Sequence, residues 1–224
     1  KTDEADGDRG LMEPIRIYCA ASVIPDEAEE ARAWEFLSAR FPDSADYFTP
    51  LRGMGNLQSR MDSLCVHLLL SCALPQSVRG LCRESAGKPV CRAGDAAFSL
   101  THADGFVLCA VSEENICLGI DAEPADRIPA QRALHMAGRF FSDSEAASVT
   151  DAESFLSLWT RKEAYVKYTG QGIRGDLRNV PTDDGGEVSF ASYRVGKLLV
   201  ALAYPRMLTA PSGVCLYEKS LFSF

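Results

Sequence analysis

The sequence predicts an α+β fold built as two similar halves, residues 12–112 and 113–224, each a small antiparallel sheet packed on helices. Three observations carry this expectation. Strand-turn-strand patterns occur at 97–111 and again at 189–203, and long helical patterns occupy 57–74 and 152–170. The composition, 46% hydrophobic and 24% charged over 224 residues, suits a chain that buries one large core or two modest ones.

Taken in order, residues 1–11 are polar, carry Asp3, Glu4, Asp6 and Asp8, and lack the apolar core of a signal peptide. They read as a flexible extension, a candidate cloning remnant, with Met12 a candidate natural start. Residues 15–20 form a first strand. Residues 26–40 form an amphipathic helix with Ala31, Trp34, Phe36 and Leu37 among acids and arginines. The polar, proline-containing stretch 41–51 reads as a loop. Asn56 opens a long helix over 57–74, apolar at Leu64, Leu68 and Cys72. Pro75 stops it, and 77–83 reads as a short helix. The apolar runs 97–102 and 106–111 flank Ala103-Asp104-Gly105, the composition of a hairpin turn, and 116–122 is a third strand. Helical patterns follow at 129–139, 142–149 and 152–170, then strands at 188–195, 198–204 and 213–217.

The formal charge of -8 argues against broad nucleic-acid binding, which needs clustered Lys and Arg, but leaves room for a local basic pocket and a small phosphorylated ligand. The longest apolar runs fall far short of the roughly 20 residues that a membrane helix takes, so no membrane span is expected. Eight cysteines (Cys19, Cys65, Cys72, Cys82, Cys91, Cys109, Cys117 and Cys215) lie largely in apolar segments and read as reduced thiols. No C-x-x-C pair occurs and the three histidines are scattered, which gives a structural zinc site little support. A cytoplasmic location is expected.

Three segments carry candidate chemistry. Gly119-Ile120-Asp121-Ala122-Glu123 ends a strand, where alternation puts Asp121 and Glu123 on one face. Two hard oxygen ligands suit Mg2+ on a pyrophosphate, since that ion takes one or two carboxylates and fills its octahedron with water and phosphate. In 155–172, Trp159, Glu163 and Lys167 are four residues apart on one helical stripe, with Lys162 beside them. Glu163 could complete a metal site or take a proton, and Lys167 could neutralise a phosphate. Gly87-Lys88-Pro89 and Thr101-His102 could grip a phosphate through a cation, a hydroxyl and an imidazole. Each segment alone has an ordinary alternative: an acidic strand end in solvent, a surface Glu-Lys pair, a turn lysine with a satisfied histidine.

Jointly, in this order and spacing, the segments resemble the 4'-phosphopantetheinyl transferase superfamily. Its pattern G-[KR]-P, F-x-x-S-H, G-[IV]-D-x-E, an acid after paired aromatics, and W-x-x-K-E-A-x-x-K with a glycine pair reads here as Gly87-Lys88-Pro89, 98–102, 119–123, Phe140-Phe141 with Glu145, and 159–172. Thr101 stands where serine is usual and Ala122 where a larger apolar residue is usual. The length favours the larger, surfactin-synthetase-activator type.

The resemblance implies a pseudo-dimer within one chain, a monomer, with coenzyme A and Mg2+ (Mn2+ a candidate substitute) between the halves. It implies Asp121, Glu123 and Glu163 as metal ligands, Glu163 also as candidate base, Lys167 on the pyrophosphate with Lys162 assisting, and Lys88, Thr101, His102 and Arg60 on the coenzyme phosphates. Trp159 is expected to orient its helix. The reaction implied is transfer of the phosphopantetheine arm of coenzyme A to a serine of an apo acyl or peptidyl carrier protein, releasing 3',5'-ADP. The carrier could serve fatty-acid, polyketide or nonribosomal peptide synthesis. A Mg2+-dependent phosphohydrolase and a non-catalytic coenzyme A binding protein are the alternatives.

Overall fold

The computed structural model describes residues 14–172 and 177–223; the extension expected at 1–11 lies outside the described residues. The elements in order are β1 (Arg16–Ala21), α1 (Glu27–Arg40), α2 (Ala45–Arg52), α3 (Leu57–Ala73), β2 (Leu81–Arg83), β3 (Pro89–Cys91), β4 (Ala97–Ala103), β5 (Phe106–Ser112), β6 (Gly119–Pro124), α4 (Ala130–Phe140), α5 (Asp143–Ser148), α6 (Ala152–Thr169), a 3-10 turn (Leu177–Asn179), β7 (Val188–Val195), β8 (Leu198–Pro205) and β9 (Val214–Leu216).

The helices begin where their caps predict. Asp26 and Glu29 form a capping box on α1, Asn56 accepts from the Ser59 N–H at the start of α3, and Ser142 with Glu145 form a capping box on α5. Gly170, with φ 69°, closes α6 in the left-handed conformation that glycine reaches without steric cost.

Two sheets lie back to back. One has the order β4-β5-β1-β9 and the other β6-β8-β7, while β2 and β3 form a separate antiparallel ribbon. Alternation along β5 sorts its residues: Val107, Cys109 and Val111 pack with α1, α2 and α3, whereas Leu108 and Ala110 face the second sheet. Along β8, Leu198, Val200 and Leu202 face the first sheet, and Ala201 and Ala203 pack beneath α6 at Ala164. The result is helices, sheet, sheet, helix. Each large aliphatic side chain at these interfaces contributes roughly 1.5–3 kcal/mol of burial. The α+β expectation, with sheets packed on helices, holds. The sheets are antiparallel except that β9, from the end of the chain, pairs parallel with β1.

Three local expectations are corrected. The stretch read as a loop contains α2, whose Tyr47, Phe48 and Leu51 are buried in the first core despite Pro50 within the helix. The short helix expected at 77–83 is a turn leading into β2, which pairs with β3 through Leu81↔Cys91 and Arg83↔Pro89. The third strand begins at Gly119 and runs through Glu123 to Pro124, so both acids lie inside the ladder, opposite Ala201 and Leu199.

Gly119 fixes how β6 meets α6. A Cβ there would lie 1.9 Å from the Ala164 carbonyl oxygen and 2.4 Å from the Tyr168 nitrogen. Only glycine permits this approach of strand backbone to helix backbone, and the approach brings Asp121 to Lys167.

Candidate active site

The alternation of β6 turns Asp121 toward α6 while Ile120 and Ala122 enter the core between the sheets. From α6, Lys167 reaches across and donates to Asp121 Oδ1 (2.8 Å), Ile120 O (2.9 Å) and Leu100 O (3.3 Å). The hydroxyl of Thr101 on β4 donates to the same Oδ1 (3.2 Å). The other oxygen, Asp121 Oδ2, is buried without a hydrogen-bond partner. A buried anionic oxygen left bare costs free energy unless something outside the chain completes it.

Glu123 lies two residues on, paired with Arg127 from the turn after β6. Burial, with the charges of Asp121 and Glu163 adding to it and Arg127 and Lys167 opposing it, pushes the Glu123 carboxyl up to about 7. Glu163 is raised as well, by burial first and then by Asp121, with Lys167 and Arg127 opposing. The carboxylate of Asp121 is therefore near enough to disfavour ionisation of both Glu123 and Glu163, and Glu163 adds to the effect on Glu123. The three do not form a closed cage: among the described residues, no three His, Cys, Asp or Glu side chains are grouped as a ready metal site. Lys167 and Arg127 occupy an oxygen each on Asp121 and Glu123. The donor set nevertheless fits Mg2+, which asks for one or two carboxylates plus water and phosphate oxygens, and the bare Oδ2 of Asp121 supplies one ligand position.

Two hollows meet here. An open groove of about 360 Å3 is lined by His102, Asp104, Asp121, Glu123 and Arg127. A cavity of about 250 Å3 lies between the turn Gly87-Lys88-Pro89, Phe98 and Leu100 of β4, and Lys167 and Gly170 of α6. The Lys167–Asp121 contact joins them.

The other expected residues divide. His102 is half exposed in the groove, with Nδ1 3.7 Å from the buried Asp62 carboxylate, which also accepts from Ser22 (2.6 Å) and Gln58 (3.0 Å). Lys88 lines the cavity, but its ammonium donates to Leu118 O (3.1 Å) and Tyr168 O (2.9 Å). Arg60 is paired with Glu30 (2.8 Å) and donates to Met54 O (3.0 Å). Lys162 stands apart from the carboxylates: it is fully buried and held by Glu145 (2.8 Å), Leu177 O (2.8 Å) and Val180 O (2.7 Å). Trp159 stacks on Phe155 at 5.7 Å and meets Phe140 edge-on, as expected of a residue that orients α6. Sequence reasoning missed Arg127 and Asp62. The first had a faint signal, four residues beyond Glu123; the second had none, because its contact to His102 spans two elements far apart in the chain.

Fold and site together define an α+β protein with an acid-bearing groove between two sheets, joined to a cavity against α6 by the Lys167–Asp121 contact. Residues 117–201 match the profile of the 4'-phosphopantetheinyl transferase superfamily. It is 33% identical over 85 residues to the 4'-phosphopantetheinyl transferase Sfp of Bacillus subtilis (strain 168), covering 35% of each chain. It is 34% identical over 85 residues to the transferase gsp of Aneurinibacillus migulanus, covering 35% of this chain and 33% of that one. The transferase HetI of Nostoc sp. is 31% identical over 153 residues, 63% of this chain and 60% of HetI. The matched stretch thus spans about a third of the length of the first two relatives.

Proposed function

We propose that this protein is a 4'-phosphopantetheinyl transferase that moves the phosphopantetheine arm of coenzyme A to a serine of an apo acyl or peptidyl carrier protein. The observation that carries the reading is the group of Asp121, Glu123 and Glu163, in which Lys167 holds Asp121 Oδ1 while Asp121 Oδ2 stays buried and bare. Asp121, Glu123 and Glu163 would hold Mg2+, which when bound neutralises charge on a pyrophosphate.

The serine hydroxyl attacks the β-phosphorus of coenzyme A in line; the bond to the bridging oxygen breaks and 3',5'-ADP leaves with the electron pair. Little covalent chemistry is asked of the protein, so positioning and charge dominate. Glu163, whose carboxyl is raised by burial, is suited to take the serine proton, directly or through water. Lys167 is suited to offset charge on the phosphates, and the cavity beside it would take part of the coenzyme. His102, Thr101, Lys88 and Arg60 are the proposed contacts to the coenzyme phosphates. Of these, His102 already opens to the groove, while Arg60 would have to leave Glu30. Eight free cysteines suit a reducing, cytoplasmic setting, and no described helix is long and apolar enough to cross a membrane.

Chromatography of 3',5'-ADP tests the reading. Its release from coenzyme A is expected only when both Mg2+ and an apo carrier are present. Release at the same rate without any carrier contradicts transfer and indicates a hydrolase.

A further inference from the structure

Lys162 carries a fully buried ammonium whose three oxygen partners come from two other parts of the chain: Glu145 on α5, and the carbonyls of Leu177 and Val180 around the 3-10 turn. Glu145 is equally engaged. Its Oε1 also accepts from the Thr182 hydroxyl (2.9 Å), and its Oε2 accepts from the Ser142 N–H (2.9 Å) and hydroxyl (2.8 Å). One buried ion pair therefore joins α6, the start of α5 and the strap around 177–182. Desolvation offsets much of the attraction in such a pair, so apolar residues of similar volume commonly hold a fold as well. What directional bonds add is a single setting of the elements they join.

The next residue, Glu163, has no hydrogen bond or ion pair among the described residues. Asp121 is held by Thr101 and Lys167, and Glu123 by Arg127. The place of Glu163 is therefore set through the backbone of α6. Side chains reach roughly 5–6 Å from a helix axis, so a turn of about 20° carries a carboxylate about 2 Å. Mg2+ requires near-ideal octahedral distances and does not tolerate that.

We propose that Lys162 and Glu145 are a positioning pair, which locks the rotation and register of α6 so that Glu163 meets Asp121 and Glu123 at the metal. The proposal rests on the metal reading above and assigns Lys162 to alignment rather than to contact with the phosphates.

Electron paramagnetic resonance titration of Mn2+ tests it without any turnover. The double substitution Lys162→Met with Glu145→Leu removes both buried charges but leaves the Leu177 and Val180 carbonyls and the Ser142 and Thr182 donors without these partners, so its melting temperature should fall modestly while the variant stays folded. Its Mn2+ dissociation constant should rise on the order of tenfold, as for other residues that orient metal ligands. In transfer assays kcat should fall while the coenzyme A KM stays within about twofold, the signature of lost alignment. If the double variant does not fold, Glu145→Gln, which keeps an acceptor for Lys162, is read in its place; a weaker rise in the dissociation constant is expected. A folded variant that binds Mn2+ as tightly as the parent overturns the positioning role alone. A parent protein that binds no Mn2+ overturns the metal reading, and this one with it.

Discussion

α6 serves two polar clusters in opposite ways. In the cluster of Lys162 and Glu145 the ammonium contacts oxygens from three residues, and both carboxylate oxygens of Glu145 accept hydrogen bonds. Around Asp121 the account does not close: one carboxylate oxygen is bare, Glu163 is unpaired among the described residues, and the Glu123 carboxyl is pushed up by burial and like charge. A satisfied cluster stabilises one arrangement of the chain. An unsatisfied one retained beside a groove is where a ligand's interactions would be made.

The contrast predicts separable losses, and the largest is at the open cluster. Asp121→Ala should cut transfer by about a thousandfold or more, since it removes a proposed metal ligand, while Lys167 keeps its two carbonyl partners and the fold survives. Carrier labelling rates set beside circular dichroism melts check this; near-normal turnover would remove Asp121 from the site.

At the closed cluster the order reverses. Glu145→Ala leaves the Lys162 ammonium buried without its counter-charge and should cost about 3–5 kcal/mol of stability, measured by urea unfolding. A loss near zero would mean that water or another oxygen replaces the carboxylate.

Between the clusters, Gly119→Ala forces a methyl into the backbone of α6 and should cost about 3 kcal/mol, near the top of the range for overpacking. If β6 moves aside to admit it, Asp121 moves too, so activity should fall further than stability. Equal stability and activity to the parent would show that the close approach is dispensable.

A third buried group sharpens the comparison through pH. His67 is held by Tyr47 at 2.8 Å and by the Ser63 carbonyl at 2.6 Å, and burial lowers its pKa to about 4. Below the unfolded value of about 6.5 the unfolded chain takes up a proton that the folded state excludes. This stability is therefore complete above about 6.5 and is lost as pH falls toward 4, by up to about 3 kcal/mol. Urea midpoints of the parent and of His67→Gln at pH 7.5, 5.5 and 4.5 check it: the parent's decline should be the steeper, and parallel declines would contradict the assignment.

These clusters also differ in how they could be read from the sequence. Asp121 with Glu123 and Glu163 with Lys167 were visible because strand and helix periodicity places them locally. The helical pattern of α6, its Asp151 cap and its Gly170 stop were equally local. Lys162 looked like a neighbour of the chemistry because it adjoins Glu163 in sequence, whereas two of its partners are backbone carbonyls 15 and 18 residues on and the third, Glu145, lies on another helix, a pairing that no local pattern shows. α2 was hidden because its stretch is polar and carries Pro50, a loop composition, and because the helix is short; its Tyr47, Phe48 and Leu51 are held by tertiary burial. β2 was hidden because three residues carry too little alternation to register, and its pairing with β3 is what makes it a strand.

The most direct test of the account is intact-protein mass spectrometry of a purified apo carrier protein incubated with this chain, coenzyme A and Mg2+, beside an EDTA control. The account predicts that the carrier gains the mass of one phosphopantetheine arm, and that EDTA or Asp121→Ala abolishes the gain. A gain that persists in EDTA would contradict the metal site, and no gain across acyl and peptidyl carriers would contradict the transfer itself.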